Sequence, residues 1–288
     1  MPRHKYHLAA LDGLDLRDRD AVFEMEFDSA RRRPATLYGG WWFFAFAIDQ
    51  VTHHPFPFFV RGDDISFSLA NGFHILTLNG VVSFQDDFTE KESPQTLYLD
   101  LRSHLIHHLV FDRLERGALG TARIALRFIM RSLLRFQYET AEAQLLAWQD
   151  VMRGPRFFDD NIDMSERRAR IGAMSRNETW QDPGGLDLRE TRRLTRLPRM
   201  IRHYLGIWTL NGHLLPLSGL LWDRVVLGIG KRGLVFPAFG AKRVTYLNGA
   251  RDKGYTVSQS KLRFFAICLR MSLTLIRFAR TFRALRAD

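Results

Sequence analysis

The sequence predicts an α/β chain, with a mixed sheet in residues 1–110 and a mainly helical region in residues 111–288 that includes a short β-hairpin segment. Three observations carry that expectation. Short apolar runs set off by Gly, Pro and Asn recur between Tyr38 and Phe84, as the strands of a buried sheet do. From Gln95 onward apolar residues return at spacings of three and four, the period of helices. The charge divides at the same place. Residues 1–110 hold 10 Lys+Arg and 15 Asp+Glu, a net of −5, and the totals of 42 and 31 leave 32 and 16 for residues 111–288, a net of +16.

Taken in order, Arg31-Arg32-Arg33-Pro34 reads as a loop, Tyr38-Gly39-Gly40 as a turn, and Trp41-Trp42-Phe43-Phe44-Ala45-Phe46 as a buried strand. His53-His54-Pro55-Phe56-Pro57 interrupts regular structure before Phe58-Phe59-Val60, a second short strand. Asp63 and Asp64 open a helix through Ile65 to Ala70, closed by a turn at Asn71-Gly72. Ile75-Leu76-Thr77-Leu78 and Val81-Val82-Ser83-Phe84 are the third and fourth strands, and a polar loop leads to the helix that starts near Gln95 and ends about Phe111.

Beyond that point Arg123, Arg127, Arg131 and Arg135 recur every four residues along one side of a predicted helix. Gly154-Pro155 ends the helix after it, which contains Trp148. Residues 159–199 are polar, arginine-rich and punctuated by Pro183-Gly184-Gly185, a connector or a set of short helices. Asn211-Gly212 and the glycines at 228, 230 and 233 mark turns between short strands up to Tyr246. Lys261 to Arg286 is a helix with Arg263, Arg270 and Arg277 at heptad spacing and Arg280 beside them.

Composition narrows the function classes. The single cysteine, Cys268, excludes an internal disulfide framework and fits a reducing compartment. No apolar run follows the first basic residues, and no stretch of about 18 residues is free of charge, so neither a signal peptide nor a membrane span is expected. The net charge of +11 attracts phosphate, on nucleic acid or on anionic lipid. No nucleic-acid-binding motif accompanies it, so a basic nucleic-acid-binding protein is the weakest of the expectations.

Residues 38–102 hold the chemical signal. A carboxylate pair at the edge between a strand and a helix, Asp63-Asp64, suits a general base: the helix N-terminus favours the charge, and two adjacent carboxyls raise one another's pKa. The same two residues also suit a helix cap with no chemistry. Trp41-Trp42 offers an indole face for a sugar ring, or two core tryptophans.

The order of the pieces adds a resemblance. Tyr38-Gly39-Gly40-Trp41-Trp42, then Pro57-Phe58-Phe59-Val60-Arg61-Gly62-Asp63-Asp64-Ile65-Ser66-Phe67-Ser68-Leu69, Gly72, and Thr77-Leu78-Asn79-Gly80-Val81 form one block. The block resembles the galactofuranosyltransferase-like members of glycosyltransferase family 2, the mycobacterial cell-wall enzymes and their capsule-type relatives. Phe88, Lys91, Tyr98, Arg102 and Asp150-Val151-Met152-Arg153-Gly154-Pro155 continue in the same order, over about residues 36–156, with a further echo at Asn211-Gly212-His213-Leu214-Leu215-Pro216.

The resemblance implies a GT-A-type catalytic domain with a helical extension. It also implies inverting transfer of galactofuranose from a UDP-sugar to a lipid-linked glycan at the inner face of the cytoplasmic membrane. Asp64 matches the general base with Asp63 beside it, and Trp41 and Trp42 match the tryptophans that line the acceptor sugar. A divalent metal, Mn²⁺ or Mg²⁺, accompanies such a donor, but the family's metal-ligand histidine falls at Gln85, a poor replacement. The family's nucleotide-binding units lie upstream of the tryptophan pair, and this sequence starts too late to contain them. The expectation is therefore the acceptor half of a transferase, with a second chain as a possible source of the donor half. Asp18-Arg19-Asp20 has the letters of the donor motif but reads as a solvated loop.

Three further patterns carry bland readings. His104, His107 and His108 have metal-ligand spacing, but no acidic partner joins them and a packed or surface helix is expected. Gly228-Ile229-Gly230-Lys231-Arg232-Gly233 lacks the ending of a phosphate loop and reads as a basic hairpin turn. The helix carrying Arg263, Arg270, Arg277 and Arg280 fits an anionic membrane surface or a core helix with snorkelling arginines.

Overall fold

A computed structural model describes residues 7–8, 15, 17–31, 36–55, 61–76, 92–186, 188–191, 198–216, 223–228 and 236–287. The chain is mixed α/β and mainly helical. It divides into two compact units: Met1–Asp87 with Ser103–Thr121, and Phe88–Arg102 with Ala122–Asp288.

In the first unit, β1 (His7–Leu8) and β2 (Leu37–Tyr38) form a short parallel pair, with α1 (Arg19–Arg31) between them in sequence. Asp18-Arg19-Asp20 opens α1, and the Asp18 side chain accepts the Asp20 amide at 3.0 Å, so the run is a helix start and not the loop expected. The aromatic run after Gly40 is not a strand. Residues 41–47 are turn and irregular backbone. Phe44 lies over Gly39, where a Cβ would meet its ring at 2.3 Å, and this folds the run back on itself. The aromatic side chains pack on one another: Phe46 meets Phe67 at 5.0 Å and Phe73 at 5.8 Å, and Phe67 meets Phe73 at 5.3 Å. Ile75 and Leu76 are likewise not in a strand. The expected strands at 58–60 and 81–84, and Gln85, lie outside the described residues.

The helix predicted at Asp63-Asp64 is present as α2 (Asp63–Asn71). Gly72, at φ +63°, ends it in the left-handed conformation that glycine adopts without strain. The helix predicted from Gln95 is α3 (Pro94–Val110). It is followed by α4 (Gly117–Leu133), on which Arg123, Arg127 and Arg131 are exposed. Arg135 does not continue their row: α4 ends before it, Phe136 takes φ +64°, and Arg135 is buried with its Nε on the Arg131 carbonyl at 3.0 Å.

The second unit is built on α5 (Tyr138–Val151), buried on nearly every side as a central helix must be. Its Trp148 is fully buried and meets Phe278 edge-on at 5.6 Å. Phe278 belongs to α9 (Lys261–Ala287), the helix predicted at Lys261–Arg286. α9 buries Phe264, Ile267, Met271, Thr274, Phe278 and Phe282, a narrow stripe at spacings of three and four. The connector contains α7 (Ser165–Met174), with α6 (Pro155–Asp160) at its start and α8 (Arg199–Trp208) at its end.

The larger sheet has the order β3-β4-β5, with β3 (Asp223–Gly228) parallel to β4 (Ala241–Leu247) and β5 (Gly254–Ser258) antiparallel to it. Val225, Leu227, Val244, Tyr246, Tyr255 and Val257 are among its buried residues. Residues 229–235, which hold most of the glycine-rich segment expected as a hairpin turn, lie outside the described residues. Parallel neighbours require a crossover, and the hairpin lies one connection later, between β4 and β5.

Candidate functional site

The site is built on the first turn of α2. Gly62 precedes it at φ +85°, ψ 1°, a conformation open to glycine and costly for a residue with a Cβ. It is also packed from outside: a Cβ there would lie 2.8 Å from His107 Cε1 and 2.8 Å from Ser103 Cβ. Both belong to α3, which clamps the backbone entering α2. Ser103 Oγ donates to the Arg61 carbonyl at 2.5 Å, and His107 Nε2 to the Gly62 carbonyl at 3.1 Å. Burial holds the His107 imidazole neutral, with its pKa lowered to about 3. The neutral ring with its proton on Nε2 is the form that donates to a carbonyl.

Asp63 and Asp64 thus sit at a helix start whose entry is fixed on both sides. Asp64 Oδ1 accepts the Ile65 amide at 2.8 Å, and the Asp63 carbonyl accepts the Ser66 hydroxyl at 3.1 Å. Burial raises the Asp64 pKa to about 6; the Ile65 hydrogen bond opposes the shift and the Asp63 charge adds to it. The cause is thus chiefly desolvation, and only secondarily the carboxylate pairing that the sequence suggested.

Trp41 stands edge-on to Phe67 at 5.5 Å. Phe67 follows Asp64 by three residues, so Asp64 and the residue that seats Trp41 share one face of α2. Trp41 is 41% exposed and Trp42 40%, so neither is a core tryptophan. The loop that carries them is tied to the same helix, with the Gly39 amide on Ser68 Oγ at 3.3 Å. Asn71 holds the chain that follows: its Oδ1 accepts the Thr52 and His53 amides at 2.8 and 2.9 Å, and its Nδ2 donates to the His53 carbonyl at 3.0 Å. An acidic helix start and an exposed indole pair are thereby brought to one element.

The histidine row on α3 resolves into support. His107 holds Gly62, and His108 donates from Nδ1 to the Leu114 carbonyl at 2.6 Å. Among the described residues no group of three or more His, Cys, Asp or Glu could hold a metal ion. Ser103 and Gly62 carry no sequence signal of their own. The usable clue was the placement of Ser103 and His107 four apart on one helical face.

Tyr98, Arg102 and Asp150 meet in the second unit, although they are far apart in sequence. Tyr98 donates its hydroxyl to Asp150 Oδ2 at 2.8 Å, and Arg167 adds Nε to the same oxygen at 2.8 Å and a second nitrogen to Oδ1 at 3.1 Å. Burial and the Asp150 charge keep the phenol well above its usual pKa, in its donating form. Arg102 lies beside them, with Nη1 3.2 Å from Met164 Sδ. All of these side chains are buried, which makes the cluster a packing device.

In comparison with known proteins, no family model matches the chain and no curated protein matches it.

Proposed function

We propose that the chain is the acceptor-side part of an inverting glycosyltransferase with a GT-A-like catalytic domain, in which Asp64 is the general base. The observation that carries the proposal is the Asp64 carboxyl itself. It is half-buried at the first turn of α2, raised to about 6, and placed one helical turn from the residue that seats Trp41. A carboxylate near that pKa is ionised at neutral pH and still basic enough to accept a proton in a transition state.

Asp64 takes the proton of the acceptor hydroxyl as that oxygen attacks the anomeric carbon. The bond from the anomeric carbon to the donor phosphate breaks with its electron pair on UDP, and the configuration inverts. Trp41 and Trp42 stack on the acceptor sugar, and Asp63 hydrogen-bonds to it. Galactofuranose is the sugar and a lipid-linked glycan the acceptor that the resemblance favours, which suits a protein peripheral to the inner face of a membrane. A divalent metal is expected with a UDP-sugar donor; among the described residues no group of three or more His, Cys, Asp or Glu stands ready to hold it.

The test is transfer from UDP-galactofuranose to a lipid-linked galactan acceptor by the chain and by Asp64→Asn. Asparagine keeps an oxygen for the Ile65 amide and cannot take a proton. Loss of transfer by at least about a hundredfold with unchanged circular dichroism is the expected result. Transfer retained by the variant removes the role.

A further inference from the structure

We propose that α8 is a docking helix for an anionic phospholipid surface, lying in the headgroup layer with its apolar face toward the lipid. At about 100° per residue, Met200, Ile201, Tyr204, Leu205, Ile207 and Trp208 fall within an arc of about 160°. All six are exposed, Met200 at 69% and Trp208 at 79%. The opposite side of the helix is the one that meets the protein. Gly206 is buried, and a Cβ there would lie 3.9 Å from the Phe239 ring. An ordinary surface helix turns its apolar face to the core, and α8 does the reverse.

Charge decides among occupants. Residues 187–208, entering and forming α8, carry Arg189, Arg192, Arg193, Arg196, Arg199 and Arg202 against Asp187 and Glu190, with Arg199 and Arg202 outside the apolar arc. An outward apolar face ending in tyrosine and tryptophan, next to a basic segment, is the pattern that partitions into an anionic headgroup layer. A protein partner would have to match the apolar face with an acidic neighbourhood; in a second copy the acidic excess is confined to residues 1–110, at a net of −5 against +16 for residues 111–288.

The helix is also firmly backed. Its end is held by the Asn211 amide on the Gly206 carbonyl at 2.6 Å, and Lys261 of α9 donates to the Leu215 carbonyl in the turn that follows. Pressing on α8 therefore presses on the core of its unit. By contrast α9, whose arginines suggested a membrane surface from sequence, places two of them beside carboxylates of α5. Arg263 lies 3.9 Å from Glu139 and 3.7 Å from Glu142, and Arg270 4.0 Å from Glu142. The inference does not depend on the chemistry at Asp64.

The experiment is flotation of the full chain with phosphatidylcholine vesicles and with mixed phosphatidylcholine–phosphatidylglycerol vesicles, at low and high salt. Binding to the mixed vesicles, weakened by salt and much lower on neutral ones, is expected. Tyr204→Glu with Trp208→Glu lowers it by roughly tenfold or more. Tyr204→Ser with Trp208→Ser, which adds no charge, lowers it in the same direction, and Ile162→Glu, an exposed apolar residue outside α8, leaves it unchanged. Circular dichroism and thermal unfolding check that each variant is folded. No binding by the unmodified chain overturns the proposal, as does equal loss in Ile162→Glu or unchanged binding in both α8 variants. Sedimentation without lipid covers the remaining occupant: self-association abolished by the α8 variants assigns the face to a second copy and overturns the lipid.

Discussion

At the scale of single residues, Asp64 and Gly62 set the behaviour of the site in opposite ways. A carboxyl raised from 3.8 to about 6 binds its proton more tightly in the folded chain than in the unfolded one. Its contribution to stability is therefore present below the unfolded value, falls as pH rises between the two, and is a net cost above about 6. Asp64→Asn removes that cost, and above pH 6 it is expected to stabilise the fold by up to about 3 kcal/mol while ending transfer. Thermal unfolding of both forms at acid and neutral pH reads this, the two curves converging as pH falls. Under the proposed mechanism the transfer rate of the unmodified chain is expected to rise with pH through the same region, as Asp64 ionises. Gly62→Ala places a Cβ at φ +85° and 2.8 Å from two side chains, and is expected to cost about 2 kcal/mol or more in urea unfolding. Its transfer activity falls as well, because Asp64 stands two residues beyond the displaced backbone.

At the scale of elements, the start of α5 shows how a helix is capped from far away. Its N-cap residue, Gln137, provides no side-chain cap, and Glu178, 38 residues beyond Thr140, takes that role. The Glu178 carboxylate accepts the Glu139 amide at 2.8 Å, the Thr140 amide at 3.0 Å and the Thr140 hydroxyl at 2.5 Å. Glu139 returns the arrangement by accepting the Arg176, Asn177 and Glu178 amides at 2.9, 2.9 and 3.0 Å. Burial pushes Glu178 up to about 7 against the Thr140 hydrogen bond, with the Glu139 charge adding to the rise. Glu178→Ala leaves two helix-start amides and a hydroxyl buried without their acceptor. A loss of about 2 kcal/mol or more is expected in chemical denaturation, with helix content falling first.

Secondary-structure legibility differed between elements for physical reasons. α2, α3 and α9 were readable because each shows an apolar period or a local start signal that does not depend on distant chain. The run Trp41–Phe46 was misread because aromatic density signals burial without saying whether a neighbouring strand exists to pair with. Here the rings found Phe67 and Phe73 instead. The direction of β4 against β3 is likewise not legible locally, since a glycine-rich segment does not say whether the next strand runs parallel or antiparallel. In the candidate site the acid pair and the indole pair were legible as residue types, while their support by Ser103 and His107 was not.

At the scale of the whole molecule, the net charge of +11 and the proposed transfer make different demands on experiment. Calorimetric titration with UDP and Mn²⁺ tests whether the chain handles a donor by itself. Heat that saturates with UDP supports transfer by the chain alone; a folded chain that gives none is the acceptor half, and transfer is then expected only with a donor-binding partner. The same titration with Asp64→Asn is expected to be unchanged, because the role proposed for Asp64 is toward the acceptor and not the nucleotide.

The sequence by itself determined the helices that begin at Asp63, near Gln95 and at Lys261, the basic character of residues 111–288, and the candidate acids and indoles. Each of these depends on local spacing or on composition, which the chain carries without folding. Tertiary structure alone decided that Trp41 rests on Phe67 beside Asp64, that burial more than its neighbour raises Asp64, and that α8 turns its apolar face outward. Those are relations between residues distant in sequence, and a periodic pattern names an apolar face without saying what stands against it.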